Sequence, residues 1–221
     1  VVPAEVAVKI SKEIPLDKAC LIGCGVVTGV CAVVNRAKVE TGSTVVIFGC
    51  GGVGLNVVQG AVLASASKII AIDKVEFKLE KAGQVGATHL VNADKENPIS
   101  RVMEITQGGA DYAFEVIGLP EIVQQAFECT RPGGTAIMVG IPPREGNISI
   151  KAPSLYRNRT LMGTFYGAGR PLVDFPWLVE LYMDGRLKLD ELVTKYRPLE
   201  EINEAFDDMN AGLTARTIIT F

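Results

Sequence analysis

The stretch that decides the fold runs from residue 44 to residue 61 and reads TVVIFGCGGVGLNVVQGA. Its first five residues are β-branched or aromatic, a composition typical of a strand buried on both faces. A glycine-rich turn follows at once, and a helical stretch is predicted from about Gly52 to Ser65. The stretch therefore predicts a strand, a tight turn and a helix, the opening unit of a parallel α/β sheet.

The same alternation continues to both sides of this unit. Further strands are predicted at 68–73, 88–92, 111–117, 135–140 and 160–166, with helices at 76–86, 97–107 and 120–130 and a turn at 132–134. Such alternation predicts a doubly wound parallel sheet of six strands. The flanks do not extend it: they predict an apolar helix at 17–37 and, after Gly169, helix, strand, helix and strand at 172–184, 193–196, 199–210 and 216–221. We interpret the flanks as pieces of an incomplete second domain.

Composition excludes several classes of protein. The 221 residues are 48% hydrophobic and 21% charged, with a net charge of −3 and no basic stripe, which argues against a nucleic-acid partner. No continuous apolar run reaches the length of a bilayer, the nearest being residues 26–34, so no membrane partner is expected. Five irregularly spaced cysteines, without a signal peptide, indicate reduced thiols in the cytoplasm. Because the chain starts without methionine, we expect it to be part of a longer protein.

The turn Gly49-Cys-Gly51-Gly-Val-Gly54 fits the pattern G-x-G-x-x-G between a strand and a helix. Its glycines allow a tight turn and close approach of a pyrophosphate to the helix N-terminus. Asp73 ends the second strand, 19 residues after Gly54, at the spacing of a carboxylate that binds the adenosine ribose. A carboxylate there repels a 2′-phosphate, so NAD is expected over NADP. A plain turn with a solvated acid, or an S-adenosylmethionine methyltransferase, would share these features.

Six segments together resemble one family. These are CLIGCGVVTGV, VVIFGCGGVGLNVVQGA, IIAIDKVEFKLEKAGQVGATHLVN, GGADYAFEVIG, MVGIPP and RTIITF. As a set they look like the C-terminal, larger part of a zinc-dependent medium-chain dehydrogenase/reductase of the alcohol dehydrogenase type. The resemblance implies an NAD-binding Rossmann domain over residues 26–168. Residues 1–25 and 169–221 would belong to the catalytic domain.

The resemblance also implies residue roles. The residues implied in NAD binding are Gly49, Cys50, Gly51, Gly52, Val53 and Gly54 for the pyrophosphate, Asp73 and Lys78 for the ribose, Ile117 beside the adenine, Thr28, Val139, Gly140, Ile141, Thr164, Phe165 and Tyr166 at the nicotinamide, and Arg216 again at the pyrophosphate. Without the resemblance, Lys78 and Arg216 would be ordinary surface residues, Thr28 would bond its own helix backbone, and the apolar strand ends would be core.

Cys24 matches the last of the three protein ligands of the family's catalytic zinc. It is therefore the implied metal ligand and, with Thr28, a catalytic residue. The other cysteine and the histidine of that site have no match here, and the only histidine, His89, lies on a strand far from the glycine turn. This chain is thus expected to bind NAD but to turn over little alcohol. Cys31 and Cys129 are expected in the core, and Cys20 to share a helix face with Cys24.

Three functions remain open at the level of the sequence. The first is a zinc-dependent alcohol dehydrogenase that transfers hydride between an alcohol or aldehyde and NAD, with a glutathione-dependent formaldehyde branch included. The second is a zinc-free, quinone-type reductase of the same fold, and the third is a dinucleotide-binding module without catalysis. The resemblance implies a homodimer paired near the sixth strand, with a tetramer as the alternative.

Overall fold

The computed structural model describes residues 2–221 and contains the predicted parallel sheet. Six strands lie in the order β3-β2-β1-β4-β5-β6. Their bounds are Thr44–Phe48 (β1), Lys68–Asp73 (β2), His89–Asn92 (β3), Ala110–Glu115 (β4), Thr130–Met138 (β5) and Thr160–Gly163 (β6). All five neighbouring pairs are parallel. The predicted doubly wound α/β fold is confirmed, and its switch point lies between β1 and β4.

Helices cover both faces of the sheet because alternate residues of each strand point to opposite sides. The bounds of the helices between the strands are Gly54–Leu63, Glu76–Gln84, Pro98–Thr106, Pro120–Glu128 and the short Ala152–Leu155. In β1, Val45 and Ile47 belong to one apolar cluster while Val46 and Phe48 belong to the other. The central strand is therefore buried on both faces, as its composition predicted.

The long helix Leu16–Ala37 packs against the helix Gly54–Leu63 and corrects one expectation. It has 22 residues, and its most apolar stretch of 18 residues has a mean hydropathy of 1.7, so length and composition alone would let it cross a bilayer, whereas no segment was expected to do so. Glycines and small residues interrupt its apolar runs, which hid this property from a search for continuous runs. In the structure 56% of its most apolar stretch is buried. Gly60 of the neighbouring helix leaves room for Val30 and Val33, so these apolar side chains are used in the core.

The flanking elements form close to their predicted positions. Helix Pro171–Met183 is followed by strand Val193–Pro198 (β7), helix Ile202–Asn210 and strand Arg216–Thr220 (β8). The last two strands form their own parallel pair and do not join the large sheet. This pairing places the first residue of β8, Arg216, against the glycine turn.

Two local predictions were wrong. Residues 132–134 do not form a separate turn but lie inside β5, where the pairing register with β4 jumps between Thr130 and Thr135. The extra residues form an irregular bulge that the Pro-Gly-Gly sequence tolerates. The sixth strand ends at Gly163, so the three residues after it lie beyond the strand rather than in it. Tyr166 has a φ of 56°, which no strand can accommodate.

Candidate functional site

The glycine turn lies at the switch point between β1 and the helix Gly54–Leu63. Gly49 has a φ of 97°, and a Cβ on Gly54 would collide with the carbonyl oxygen of Gly49, so both positions require glycine. No side chain caps the helix that follows. The N–H groups of Leu55 and Asn56 are bonded to main-chain oxygens of the turn, so the helix offers an anion mainly the positive end of its dipole.

Asp73 holds the glycine turn from the neighbouring strand. Its Oδ2 accepts a hydrogen bond from the main-chain N–H of Cys50 at 2.8 Å, and its Oδ1 accepts one from Val75 at 3.0 Å. The thiol of Cys50 is buried and makes only a long contact to the carbonyl of Ile72. Cys50 thus contributes its backbone to the turn, and the Asp73 carboxylate is fixed at the rim of the site.

A cleft of ≈ 630 Å³ opens beside this carboxylate, over the carboxyl ends of β1, β2 and β4. Asp73, Lys78 and Ile117 all line it, which brings together the residues implied for the ribose and the adenine. Half of the Ile117 side chain is exposed, with a relative accessibility of 50%. Ile117 is therefore a cleft wall and not ordinary core.

A second cleft of ≈ 400 Å³ lies on the other side of Lys78. The glycine turn and Arg216 form its polar wall, and the helix Ile202–Asn210 forms its apolar wall. Lys78 borders both clefts, so they form a continuous surface along the glycine turn. This surface has the extended form that a dinucleotide needs.

Arg216 reaches the glycine turn from β8. Its guanidinium occupies the space where a Cβ of Gly25 or Gly52 would lie. Burial lowers the pKa of this guanidinium, and the nearby Cys24 sulfur acts in the opposite direction. Within residues 2–221 it forms no ion pair, although buried cations in proteins are usually paired. Arg216 is therefore a half-buried cation facing the turn without a counter-ion.

The residues implied for the nicotinamide fall in three groups around the ends of β5, β6 and the long helix. The N–H groups of Val139 and Gly140 both donate to the main-chain oxygen of Glu115, at 2.8 and 3.1 Å. Ile141 is almost fully exposed, with a relative accessibility of 89%. Two of these N–H groups are therefore already used inside the protein, and Ile141 lies at the surface with its main chain packed on Gly118.

The turn after β6 packs directly on the long helix. Thr164 donates its N–H to Met138 but its buried hydroxyl has no partner. Gly167 is packed so closely on the main chain of Thr28 that a Cβ would collide with its oxygen. The Tyr166 hydroxyl donates to the main-chain oxygen of Gly23. The turn therefore adjoins both Thr28 and the helical turn that carries Cys24.

Cys24 lies in a wide, π-type turn of the long helix, Ile22–Val26, and is exposed. It lines a small cleft of ≈ 250 Å³ together with Cys20 and Arg216, so the two thiols share one side of the helix as predicted. Within the part of the chain that the structure describes, no three His, Cys, Asp or Glu side chains are grouped to hold a metal ion. Cys24 alone does not make a zinc site, because zinc needs about three protein ligands.

The remaining cysteines and His89 lie outside the site. Cys31 and Cys129 are fully buried, which confirms their assignment to the core, and burial raises the pKa of each thiol to about 12. His89 is the first residue of β3 and pairs with Ile70, at the end of the sheet opposite to Asp73. Its ring contacts the hydroxyl of Thr88. The histidine is therefore a packing residue.

One residue of the site was missed by sequence reasoning. Glu115 ends β4 and is completely buried, and its side chain accepts hydrogen bonds from the turn that carries Ile117. The available signal was a carboxylate at the end of the strand, between the apolar pair Ala-Phe and Val-Ile-Gly. A buried acid at the carboxyl end of a parallel strand faces the ligand side of the sheet.

The strand order, the glycine turn at the switch point and the acid ending β2 define a Rossmann-type α/β domain. A family model described as zinc-binding dehydrogenase matches residues 52–183. The chain belongs to this zinc-binding dehydrogenase family, which confirms the resemblance found in its sequence.

Known proteins support the same assignment. The chain is 39% identical over 229 residues to the S-(hydroxymethyl)glutathione dehydrogenase of Paracoccus denitrificans, covering 100% of this chain and 61% of that protein. It is 42% identical over 222 residues to alcohol dehydrogenase 1 of Trifolium repens, covering 99% and 58%. The crystal structure of benzyl alcohol dehydrogenase from Acinetobacter calcoaceticus superposes with a TM-score of 0.93 at 37% identity, over 96% of this chain and 59% of that one. The chain thus spans about three fifths of the length of these relatives.

Proposed function

We propose that this chain is the NAD-binding portion of a zinc-dependent alcohol dehydrogenase. The observation that carries the proposal is the glycine turn at the switch point, held by Asp73 on one side and faced by the unpaired Arg216 on the other. The names of the relatives support an alcohol or aldehyde as the substrate.

The polar groups left open in the structure support NAD as the ligand. Arg216 lacks a counter-ion and can meet the pyrophosphate with its fork of donors. The buried Thr164 hydroxyl has no partner and lies where the resemblance implies the nicotinamide amide. A buried polar atom without a partner is costly, so a ligand that satisfies it gains affinity. NAD, when bound, supplies the hydride acceptor, while the chain binds and orients it.

Asp73 supports NAD over NADP. Its carboxylate is fixed by two main-chain N–H groups and keeps lone pairs free for the two ribose hydroxyls. A 2′-phosphate in that position would bring negative charges together at close range. Lys78, on the border of the two clefts, is proposed as the second ribose contact.

The zinc proposal rests on Cys24 and does not extend to a complete site. One exposed thiol without two further ligands does not fit a bound zinc ion, and no catalytic step can be derived through it here. We therefore propose that this chain binds NAD by itself and turns over little alcohol. Cys24 would complete a zinc site only with ligands from outside residues 2–221. We also propose a cytoplasmic location, with which five free thiols are compatible.

We also propose the domain division 1–25, 26–168 and 169–221, with the outer two pieces contributing to a catalytic domain. The separate β7–β8 pair supports this division, because it does not join the large sheet. A homodimer, with a tetramer as the alternative, is proposed to form along β6. This strand is one of the two edges of the sheet, and the adjoining Tyr156 and Phe165 are more than nine-tenths exposed.

Calorimetry with ADP-ribose and with S-adenosylmethionine tests the function of the glycine turn. We expect ADP-ribose to bind and S-adenosylmethionine not to bind, because only ADP-ribose carries a pyrophosphate. Binding of S-adenosylmethionine alone would instead support a methyltransferase. Metal analysis of a longer protein containing this chain separates the zinc-dependent enzyme from the zinc-free reductase, since absence of zinc would exclude the former.

A further inference from the structure

Glu115 is a buried carboxylate that organises the backbone of the turn after β4. Its Oε1 accepts hydrogen bonds from three consecutive N–H groups, those of Ile117 at 2.7 Å, Gly118 at 2.6 Å and Leu119 at 3.4 Å. Ile117 and Leu119 line the ≈ 630 Å³ cleft beside Asp73. The carboxylate therefore fixes the wall of that cleft from behind.

The same residue also holds the turn after β5. Its main-chain oxygen accepts the N–H groups of Val139 and Gly140, at 2.8 and 3.1 Å. The two turns touch each other backbone to backbone: a Cβ on Gly118 would collide with the oxygen of Ile141, and one on Gly140 with the nitrogen of Gly118. Glu115 thus accepts hydrogen bonds from both turns, with its side chain for the first turn and its main-chain oxygen for the second. The backbones of the two turns are in direct contact.

Packing alone does not account for a glutamate at this position. Within residues 2–221 the carboxylate has no cationic partner, its Oε2 has no hydrogen-bond partner, and none of its surface is exposed. Burial raises the pKa of the carboxyl, and the N–H groups of Gly118 and Ile117 oppose that rise. A buried acid without a counter-ion costs stability, and an apolar residue would fill the same space at lower cost. What an apolar residue cannot do is accept three N–H groups.

We propose that Glu115 is a positioning residue for the dinucleotide, which holds the adenine-side and nicotinamide-side turns in one fixed arrangement. This inference rests on the proposed NAD-binding function. It assigns Glu115 no contact with the ligand: its effect passes through the backbone of residues 117–119 and 139–141. Burying the carboxylate lowers the stability of the fold, but it orders the cleft before the ligand binds, and a preordered cleft binds its ligand more tightly.

The test compares Glu115→Met with Glu115→Gln. Methionine fills a similar volume without an acceptor, whereas glutamine keeps one oxygen for the three N–H groups. We expect Glu115→Met to raise the Kd for NAD in calorimetry by about tenfold or more, because it leaves buried N–H groups unpaired. Glu115→Gln should restore the affinity to within about threefold of the wild type. Glu128→Met, an exposed glutamate on the following helix, is the matched control and should bind NAD normally.

Amide hydrogen exchange distinguishes positioning from general stability. In Glu115→Met, the amides of residues 117–119 should exchange at least about tenfold faster, while those of Val139 and Gly140, which keep their main-chain acceptor, change less and those of β1 keep their protection. If Glu115→Met does not fold, Glu115→Asp replaces it, because the shorter side chain keeps the charge but cannot reach all three N–H groups.

The outcomes separate this inference from the proposed function. Normal NAD affinity in both Glu115→Met and Glu115→Asp would overturn the positioning role. So would an increase in exchange spread evenly over the whole sheet. If the wild type does not bind NAD, the proposed function fails instead, and the exchange of residues 117–119 still shows whether Glu115 holds the turn.

Discussion

Replacing Arg216 by methionine should change stability and ligand affinity in opposite directions. The guanidinium is half-buried between Gly25 and Gly52, and it has no ion-pair partner within residues 2–221. Burial lowers its pKa, which means that the surrounding protein disfavours the charge. In the absence of a ligand, Arg216 therefore costs free energy without a compensating contact.

The size of both effects follows from this geometry. A charge-assisted hydrogen bond contributes about 1.5–3 kcal/mol, so losing the contact to the pyrophosphate should raise the Kd for NAD roughly 10-fold to 100-fold. The free energy of unfolding without ligand should be unchanged or up to about 1 kcal/mol higher, because methionine removes an unpaired, partly desolvated charge. Arg216→Lys should lie between, since lysine keeps the charge but lacks the fork.

Calorimetry measures the affinity, and urea denaturation without ligand measures the stability. Arg186→Met, at an exposed arginine outside both clefts, is the control. It should change neither the affinity for NAD nor the stability by more than the usual effect of a surface substitution. If Arg216→Met binds NAD as tightly as the wild type, Arg216 does not contact the dinucleotide. A loss of several kcal/mol of stability without ligand would show instead that Arg216 has a structural partner.

Three further predictions concern thiols, pH and backbone conformation. An Ellman titration of the native protein should find two rapidly reacting thiols, the exposed pair on the long helix, and three more only after denaturation. Burial alone would raise the pKa of Asp174, but hydrogen bonds from Arg170 outweigh it and lower the pKa below its ordinary value. The ionised carboxylate therefore stabilises the fold fully above roughly pH 4, and this stabilisation is lost as the pH falls further. Asp174→Asn should be less stable than the wild type in urea denaturation at pH 7, and the free energies of unfolding of the two proteins should converge in acid. Gly167→Ala should lower the free energy of unfolding by at least about 2 kcal/mol, since φ is 64° and a Cβ there collides with the long helix. The control Gly185→Ala, with a φ of 71° but open space around the Cβ, should lower it by only about 1 kcal/mol. Equal losses in the two variants would contradict the role given to the collision.

Much of the fold could be predicted because its signals are local. Most strands of the large sheet contain a short run of apolar residues next to a helix of different periodicity, and β1 with its glycine turn specifies the switch point. The turn predicted at 132–134 failed because proline and glycine also occur in bulges, and only the pairing of β5 with β4 distinguishes the two.

The site was predictable where one residue acts through its type and spacing. Asp73 and the glycine turn are examples, since 19 residues separate the acid from Gly54. The contacts that unite the site were not predictable, because they join distant segments. The Tyr166 hydroxyl meets Gly23 across 143 residues, and the two turns held by Glu115 meet only once β4 and β5 are paired.

If the glycine turn and Asp73 form a site for NAD, the affinities for NAD and NADP must differ. NAD and NADP are titrated separately into this chain by calorimetry under the same buffer and salt. We expect NAD to bind at least about tenfold more tightly than NADP, because the fixed Asp73 carboxylate accepts the ribose hydroxyls and repels a 2′-phosphate. Equal affinity for the two dinucleotides, or no binding of either, would contradict this expectation.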